Sequence, residues 1–252
     1  MSEPMSKPIR VGVIGARGRM GASVVDAVQS AEGMELVAAI DIGDDLASLE
    51  SATCQVIVDF TTPDAVMDNL HFAITHGMHC VVGTTGFDED RIETVRAWCA
   101  ERPQVGVLLA PNFSIGAVLM MHLSSLAAPY FESVEIIELH HPDKVDAPSG
   151  TARHTAAQIA VARSECPPAP DATTMAEPGA RGARVEDIPI HSVRARGLVA
   201  HQEVIFGGPG ETLTIRHDSL DRSCFMPGVL LAVREVAEHP GVHVGLADYL
   251  NL

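Results

Sequence analysis

The feature that most constrains the fold is an alternation of short apolar segments with helical patterns along residues 9–109. Strands rich in Val, Ile and Leu are predicted at 9–14, 36–40, 56–60, 79–82 and 105–109. Helices are predicted over 20–31, 63–76 and 88–99. Near-continuous apolar strands separated by helices are typical of a parallel sheet covered on both faces. We therefore expect a doubly wound α/β domain, whose ligand crevice lies at the carboxyl ends of its strands.

The pattern changes after Ser114, which can cap a helix. Helices are predicted over 115–128 and 150–163, strands at 134–139, 190–194, 202–206 and 212–217, and a long loop rich in Pro, Gly and Ala over 166–187. Residues 207–210 are typical of a hairpin turn between the last two strands. This half is predicted to be a second, α+β domain with an open mixed sheet, and a last helix over 227–238 should pack back on the first domain.

Composition narrows the range of functions. The formal net charge of −16 disfavours binding to nucleic acid or to an anionic membrane surface. No apolar run reaches the roughly 18 residues that a membrane helix needs, and the first residues do not resemble a signal sequence, so a cytoplasmic protein is expected. The five cysteines show neither C-x-x-C nor zinc-ligand spacing and are expected to be reduced thiols.

A glycine-rich turn follows the first predicted strand directly. Gly15, Gly18 and Gly21 have the spacing G-x-x-G-x-x-G between a strand and a helix. Such glycines let backbone N–H groups approach a pyrophosphate, and the helix N-terminus adds partial positive charge. A glycine turn alone is weak evidence, but its position in the alternating pattern favours a dinucleotide site over an ordinary tight turn.

The choice of dinucleotide is left open by two opposing features. Asp41 ends the second predicted strand, where an acidic side chain would bind the ribose hydroxyls of NAD. Arg17 and Arg19 lie in the glycine turn and could reach a 2′-phosphate, which Asp41 would repel. We therefore expect either NADH or NADPH to be used. Two more loops, 83–86 and 110–113, end strands at the same edge and would line the nicotinamide half, although either could be an ordinary loop.

A basic loop follows the strand predicted at 134–139. It carries His140, His141 and Lys144 and runs into Ser149, a plausible N-cap that leaves the N–H groups of Gly150 and Thr151 facing an anion. Imidazole, ammonium and helix N-terminus together suit a dicarboxylate, and a histidine near neutrality can donate a proton.

Three other interpretations of this loop compete. The adjacent histidines could simply be solvated. A metal site would favour histidines at i and i+4 or added Cys or Glu ligands, and Glu138 has no matching spacing, so no metal is expected. Lys144 could form an ion pair with Asp143 or Asp146 and bind nothing else.

Residues 138–141 followed by 144–151 resemble the signature of the 4-hydroxy-tetrahydrodipicolinate reductase (dihydrodipicolinate reductase) family of lysine and diaminopimelate biosynthesis. The glycine turn, residues 83–86, residues 110–113 and the hairpin 207–217 follow in the family's order, so the resemblance covers nearly the whole chain. It implies a Rossmann-like dinucleotide-binding domain of residues 1–113 and 221–252. It also implies a substrate-binding and oligomerisation domain of residues 114–220, and a homotetramer.

The resemblance also implies roles for individual residues. His140 would be the proton donor and Lys144 a second donor or carboxylate ligand, with substrate contacts at His141, Gly150 and Thr151. Family members often carry a basic residue or histidine where Asp143 stands, so a weaker local charge and substrate affinity are expected here. By position, the implied cofactor contacts are Gly15, Ala16, Arg17, Gly18, Arg19, Met20, Asp41, Gly83, Thr84, Thr85, Ala110, Pro111, Asn112 and Phe113.

The implied reaction passes a hydride from NADH or NADPH to an imine-containing cyclic dicarboxylate, giving an enamine that is then protonated. The ring could be the hydroxylated form, with loss of water, or a preformed dihydro ring. One alternative is another two-domain dehydrogenase that acts on a small dicarboxylate or semialdehyde. An enzyme of the aspartate-semialdehyde type needs a reactive cysteine at a helix start, and none of the five cysteines follows a suitable strand and loop. A non-enzymatic dinucleotide sensor would normally carry a basic DNA-reading element, against which the net charge of −16 argues.

Overall fold

Residues 7–252, described by the computed structural model, form strands β1–β11 and helices α1–α7. The strands are β1 (Ile9–Ile14), β2 (Met34–Ile40), β3 (Val56–Asp59), β4 (His79–Val82), β5 (Gly106–Leu109), β6 (Ser133–His140), β7 (Ala183–Val185), β8 (Ile188–Arg194), β9 (Ala200–Gly208), β10 (Glu211–Ser219) and β11 (Gly241–Val244). The helices are α1 (Arg19–Ser30), α2 (Ala47–Ser51), α3 (Val66–Thr75), α4 (Glu89–Ala100), α5 (Ile115–Ala127), α6 (Gly150–Ala162) and α7 (Met226–Glu235). Within this part of the chain, no helix has the length and apolar character needed to cross a membrane.

The first compact unit comprises the residues up to Ile115 together with Arg222–Leu252. Its six strands pair in the order β11-β5-β4-β3-β1-β2, and every pair is parallel. All four residues of β3 and of β5 are buried, because helices cover both faces of the sheet. This confirms the doubly wound sheet predicted from the alternating pattern and the Rossmann-like domain implied by the resemblance.

The second compact unit, Gly116–Asp221, contains a five-stranded mixed sheet. Its order is β10-β9-β6-β8-β7, in which only β6 and β8 run parallel. Helix α6 covers one face, where Ile159 packs with Ile136 and Phe206, all three fully buried. The predicted α+β domain with an open mixed sheet is confirmed.

The sequence analysis missed two strands and one short helix. β11 pairs in parallel with β5, and β7 lies inside the region predicted to be a continuous loop over 166–187. Both are short edge strands with half-buried or exposed residues, so their pairing partners stabilise them rather than an apolar pattern of their own. The missed helix, α2, has only five residues.

Two predicted helix boundaries differ from the structure by three residues, more than the other helix ends. The helix predicted to begin at residue 63 begins at Val66, since Thr62 accepts backbone bonds from Ala65 and Val66 in a preceding turn. The last helix is α7 followed by a short 3₁₀ turn, and it contacts α1 and β4, as predicted.

Candidate functional site

The glycine turn of the first unit is shaped by close backbone approaches. Gly15 has φ +81°, and a Cβ there would lie 2.4 Å from the Phe60 carbonyl oxygen. A Cβ at Gly21 would lie 2.0 Å from the Gly15 carbonyl oxygen, so only glycine lets α1 begin this close to the end of β1. Because the N-cap residue Gly18 has no side chain, the first amide groups of α1 can donate to a phosphate.

A cavity of about 550 Å³ opens beside this turn, at the carboxyl ends of β1, β2 and β3. Its volume falls in the range of small-molecule sites, roughly 300–1,000 Å³. It is lined by Ile14, Gly15, Gly18, Ile40, Asp41, Ile42, Gly43, Asp44, Leu46, Phe60, Thr61, Thr62, Ala65 and Asn69. The turn and Asp41, which lie far apart in the sequence, therefore line one cavity.

Asp41 is an ionised acceptor at the rim of this cavity. Its carboxylate accepts the N–H groups of Ile42 (2.8 Å) and Arg17 (2.7 Å), and these two bonds hold the pKa of Asp41 below its ordinary value. The Arg17 guanidinium is bound by the Asp44 carboxylate at 3.1 Å and by the Ile42 carbonyl at 3.0 Å. The sequence analysis did not identify Asp44, which adds a second negative charge and engages the arginine expected to meet a 2′-phosphate. Arg19 is exposed at the start of α1.

A buried carboxylate, Asp59, ties together the loops after β3 and β4. It has no exposed surface and accepts from the Thr84 hydroxyl (2.6 Å), the Thr61 hydroxyl (2.8 Å) and the Asn69 amide (2.8 Å). Since the Thr84 hydroxyl is engaged in this way, any contact of Thr84 with a cofactor would use its backbone. Asp59 was not predicted; a carboxylate that closes an apolar strand at the ligand edge is the signal that could have identified it.

The two remaining predicted loops end β4 and β5, which are neighbours in the sheet. A Cβ at Gly83 would lie 2.0 Å from the Phe60 ring, and the rings of Phe60 and Phe113 are 5.7 Å apart. Phe113 and Ala110 are buried, whereas Thr85 is exposed at the strand end. Pro111 is exposed, and Asn112 accepts the N–H of Ser114 at 2.9 Å.

In the second unit, Glu138 and His140 lie two residues apart on β6 and therefore share the face that α6 covers. Glu138 is fully buried, and the His140 side chain is 13% exposed. His140 Nδ1 lies 2.6 Å from Glu138 Oε2. Arg194, on the neighbouring β8, donates to both carboxylate oxygens at 2.8 Å each, and the Ser149 N–H donates to Oε1 at 3.2 Å.

The pKa values of this pair reflect burial opposed by charge. Burial would raise the pKa of Glu138, but hydrogen bonds from Arg194, Ser192 and His140 outweigh it and leave that pKa below its ordinary value. Burial lowers the pKa of His140, and the charges of Lys144 and Arg194 lower it further, whereas Glu138 opposes them. Glu138 is therefore ionised near neutrality, and its Oε2 lies within hydrogen-bonding distance of His140 Nδ1.

The helix start predicted at Ser149 is confirmed. The Ser149 hydroxyl accepts the N–H of Ala152 at 3.2 Å as the N-cap of α6, with Gly150 at the surface. Lys144 Nζ lies 2.7 Å from Asp146, so the ion pair left open by the sequence is formed. The bond from Lys144, followed by smaller effects that include the Gly150 N–H, lowers the pKa of Asp146. His141 and Asp143 are exposed in the same loop.

Two of the alternative interpretations would need either a reactive cysteine or a cluster of metal ligands. The thiols of Cys54, Cys80 and Cys99 are buried, and burial raises the pKa of Cys54 and of Cys99 to about 11 and that of Cys80 well above its ordinary value. Such thiols are protonated near neutrality and are poor nucleophiles. Over residues 7–252, no group of three or more His, Cys, Asp or Glu side chains is arranged to hold a metal ion.

Comparison with known proteins gives matches along both units. Residues 9–113 match the family model described as dihydrodipicolinate reductase, N-terminus, and residues 116–250 match the model described as dihydrodipicolinate reductase, C-terminus. The chain is 59% identical to the 4-hydroxy-tetrahydrodipicolinate reductase of Mycobacterium marinum, over 97% of this chain and 100% of that protein. It is 61% identical, with the same coverage, to the protein of that name from Mycolicibacterium smegmatis.

Among solved structures, a dipicolinate-bound dihydrodipicolinate reductase from Paenisporosarcina sp. TG-14 is similar with a TM-score of 0.87 and 39% identity. That match covers 96% of this chain and 99% of the other. The myo-inositol 2-dehydrogenase of Lactobacillus plantarum is similar with a TM-score of 0.62 and 12% identity, covering 97% and 94% of the two chains. This second likeness concerns the fold alone.

Proposed function

Because the chain belongs to the dihydrodipicolinate reductase family, we propose that it reduces 4-hydroxy-tetrahydrodipicolinate, or the dehydrated dihydrodipicolinate, to tetrahydrodipicolinate, with His140 as the proton donor. At the family level, the chain is an oxidoreductase of lysine and diaminopimelate biosynthesis that uses a nicotinamide cofactor. The observation that carries the mechanistic proposal is the half-buried His140, held by the ionised Glu138 in a loop that also presents Lys144 and the start of α6.

The residues of the first unit fit a dinucleotide. Glycine at positions 15 and 21 lets the turn pack closely against its own backbone, the first amide groups of α1 are available to a pyrophosphate, and the adjoining cavity ends at Asp41, an acceptor for ribose hydroxyls. When bound, the reduced nicotinamide supplies the hydride. We infer that both NADH and NADPH serve, with NADH preferred, because Asp41 and Asp44 would repel a 2′-phosphate and Arg17 is already paired.

The second unit is proposed to hold the two substrate carboxylates. Lys144 would bind one carboxylate by exchanging its ion pair with Asp146, and the N–H groups of Gly150 and Thr151 would bind the other. His141, exposed in the same loop, is within the proposed contact set. The relative from Paenisporosarcina was determined with dipicolinate, an aromatic analogue of the same ring and charge, which supports a cyclic dicarboxylate as substrate.

Protonation is proposed to follow hydride transfer. The imidazolium of His140 would give its Nε2 proton to the enamine carbon and return to the neutral form, in which the remaining proton stays on Nδ1 and faces the Glu138 carboxylate. When substrate binds, one of its carboxylates near the His140 imidazole would favour the imidazolium form. This would raise the pKa of His140 and so offset the lowering that burial causes in the free protein.

The test is a coupled assay of nicotinamide oxidation with the product of the preceding synthase. His140→Gln should lower kcat by a factor of about 10²–10⁴ with a modest change in KM, as expected for loss of a general acid. Lys144→Ala should lower kcat and raise KM, because it removes a carboxylate ligand. An unchanged kcat in the His140 variant would remove it from the acid role, and failure of dipicolinate to inhibit would contradict the proposed substrate class.

We also propose a homotetramer formed through the open sheet face of the second unit. That face, opposite α6, carries the half-exposed side chains of Ile137, Leu139, Val193 and Ile205. Apolar side chains left together on an open sheet face are typical of a subunit interface. The proposed location is the cytoplasm, where reduced nicotinamide cofactors are regenerated.

A further inference from the structure

Glu138 is a buried charge on the apolar face of β6. Its neighbours on the same face, Val134 and Ile136, belong to the core against α6. A carboxylate is desolvated at this position and is retained only when donors satisfy it. The proposed substrate contacts do not include Glu138, so its presence calls for another explanation.

We propose that Glu138 is a positioning residue, which fixes the ring orientation and tautomer of His140 and stabilises its cationic form. The inference rests on the proposed acid role of His140. A carboxylate oxygen 2.6 Å from Nδ1 holds the ring in place and keeps that nitrogen protonated, so Nε2 is the nitrogen that gains and loses the catalytic proton. In the step itself, an Nε2–H bond breaks and a C–H bond forms, and Glu138 stays ionised throughout.

The same carboxylate is itself held rigidly. Arg194 meets it with two parallel bonds of 2.8 Å and is anchored by the Asp146 and Val193 carbonyl oxygens, both at 2.8 Å. The Ser149 N–H, at 3.2 Å, links the carboxylate to the N-cap of α6. Glu138 thereby fixes the acid and the start of the anion-binding helix relative to each other.

The charged groups around His140 come from three elements. Glu138 lies on its own strand β6, Arg194 comes from β8, and Lys144 comes from the loop, where Asp146 offsets its charge. The anion stabilises the imidazolium, and the two cations oppose it. Removing the anion and removing one cation should therefore have opposite effects on His140, which a purely structural ion pair would not produce.

The matched pair Glu138→Gln and Arg194→Met tests this, with kcat/KM measured against pH. Loss of activity with rising pH reports deprotonation of His140 in the free enzyme. In Glu138→Gln this loss should move to lower pH by about one unit or more, the effect of removing an adjacent opposite charge. In Arg194→Met the loss should move to higher pH, because a cation is removed. In Glu138→Asp, which keeps the charge, the loss should fall between its positions in Glu138→Gln and in the wild type.

A second measurement separates this inference from the function on which it rests. Long-range ¹H–¹⁵N spectra of the full-length protein, with the His140 signals assigned through His140→Gln, report the ring tautomer without catalysis. Neutral His140 should be protonated on Nδ1 in the wild type, whereas in Glu138→Gln it should be a mixture of the Nδ1 and Nε2 tautomers. An unchanged tautomer and an unmoved pH profile would overturn the role of Glu138, even if His140→Gln is inactive.

The opposite combination is equally informative. A changed tautomer in Glu138→Gln together with full activity in His140→Gln would leave the positioning contact intact and overturn the acid role instead. If Glu138→Gln does not fold, the double variant Glu138→Gln/Arg194→Met removes both charges of the ion pair, and the tautomer of His140 is measured in it in the same way. A double variant with the wild-type tautomer would overturn the proposal.

Discussion

At the scale of single residues, three carboxylates have different roles because their burial and their hydrogen-bond donors differ. Glu138 and Asp59 are fully buried, and each holds other polar groups in place. Glu138 contacts the His140 imidazole, and Asp59 accepts hydrogen bonds from the hydroxyl groups of Thr61 and Thr84. Asp41 lies at a cavity rim and accepts backbone N–H groups. Residue type alone does not distinguish an orienting carboxylate from a ligand-binding one; burial and donor count do.

Asp44 provides a prediction on cofactor choice. Asp44→Ala should release the Arg17 guanidinium and remove a negative charge from the cavity rim, so the ratio of kcat/KM for NADPH over NADH should rise by about tenfold. The ratio is measured with both cofactors at fixed ionic strength, because exposed charges are screened by salt. Asp26→Ala, on the exposed side of α1, removes the same charge elsewhere and should leave the ratio unchanged. Equal ratios in the two variants would show that Asp44 does not govern the choice.

Local patterns in the chain identified some residues of the candidate sites and not others. His140, Lys144 and the glycines of the turn were predictable, since strand, turn and helix start lie within a few residues of one another. The pairing of Glu138 with Arg194 spans 56 residues, and that of Asp59 with Thr84 spans 25. Such contacts depend on which strands become neighbours in the sheet, which local propensity does not determine.

At the scale of secondary-structure elements, the elements that were predicted correctly are those with a strong periodic pattern of apolar residues or a helix-capping residue. The buried strands of the first sheet and helix α6, with its cap at Ser149, belong to this class. β7, β11 and α2 are short, and tertiary contacts rather than sequence pattern define them.

The cap of α6 connects the stability of the helix with the substrate binding that is proposed for its first turn. Ser149→Ala removes the acceptor for the Ala152 N–H and should lower the free energy of unfolding by about 1 kcal/mol. It should also raise KM for the cyclic dicarboxylate, because the first turn of α6 is proposed to hold a carboxylate. Denaturant unfolding and steady-state kinetics measure the two effects. Ser149→Thr keeps the hydroxyl and should retain both properties; equal losses in the Thr and Ala variants would argue that the cap is not the cause.

At the scale of the whole molecule, the second unit presents an uneven surface. One face of its sheet is covered by α6, whereas the other mixes half-exposed apolar residues with ion pairs such as Arg216–Glu203. A chain of net charge −16 repels its own copies at long range, so association must come from a specific, locally neutral patch. The open sheet face meets both conditions.

This predicts the effect of one substitution on assembly. Ile205 lies on the open face of β9, which is flanked by β10 and β6, and Ile205→Arg would place a cation in the proposed interface. Because Ile205 is only half-buried in the single chain, the subunit should still fold, while a desolvated and unpaired charge should break the tetramer. Sedimentation velocity should give about four times 26.7 kDa for the wild type and a smaller species for the variant. Val161→Arg, at a 76% exposed position on α6, should remain tetrameric; a wild-type protein sedimenting as a single 26.7 kDa chain would contradict the assembly altogether.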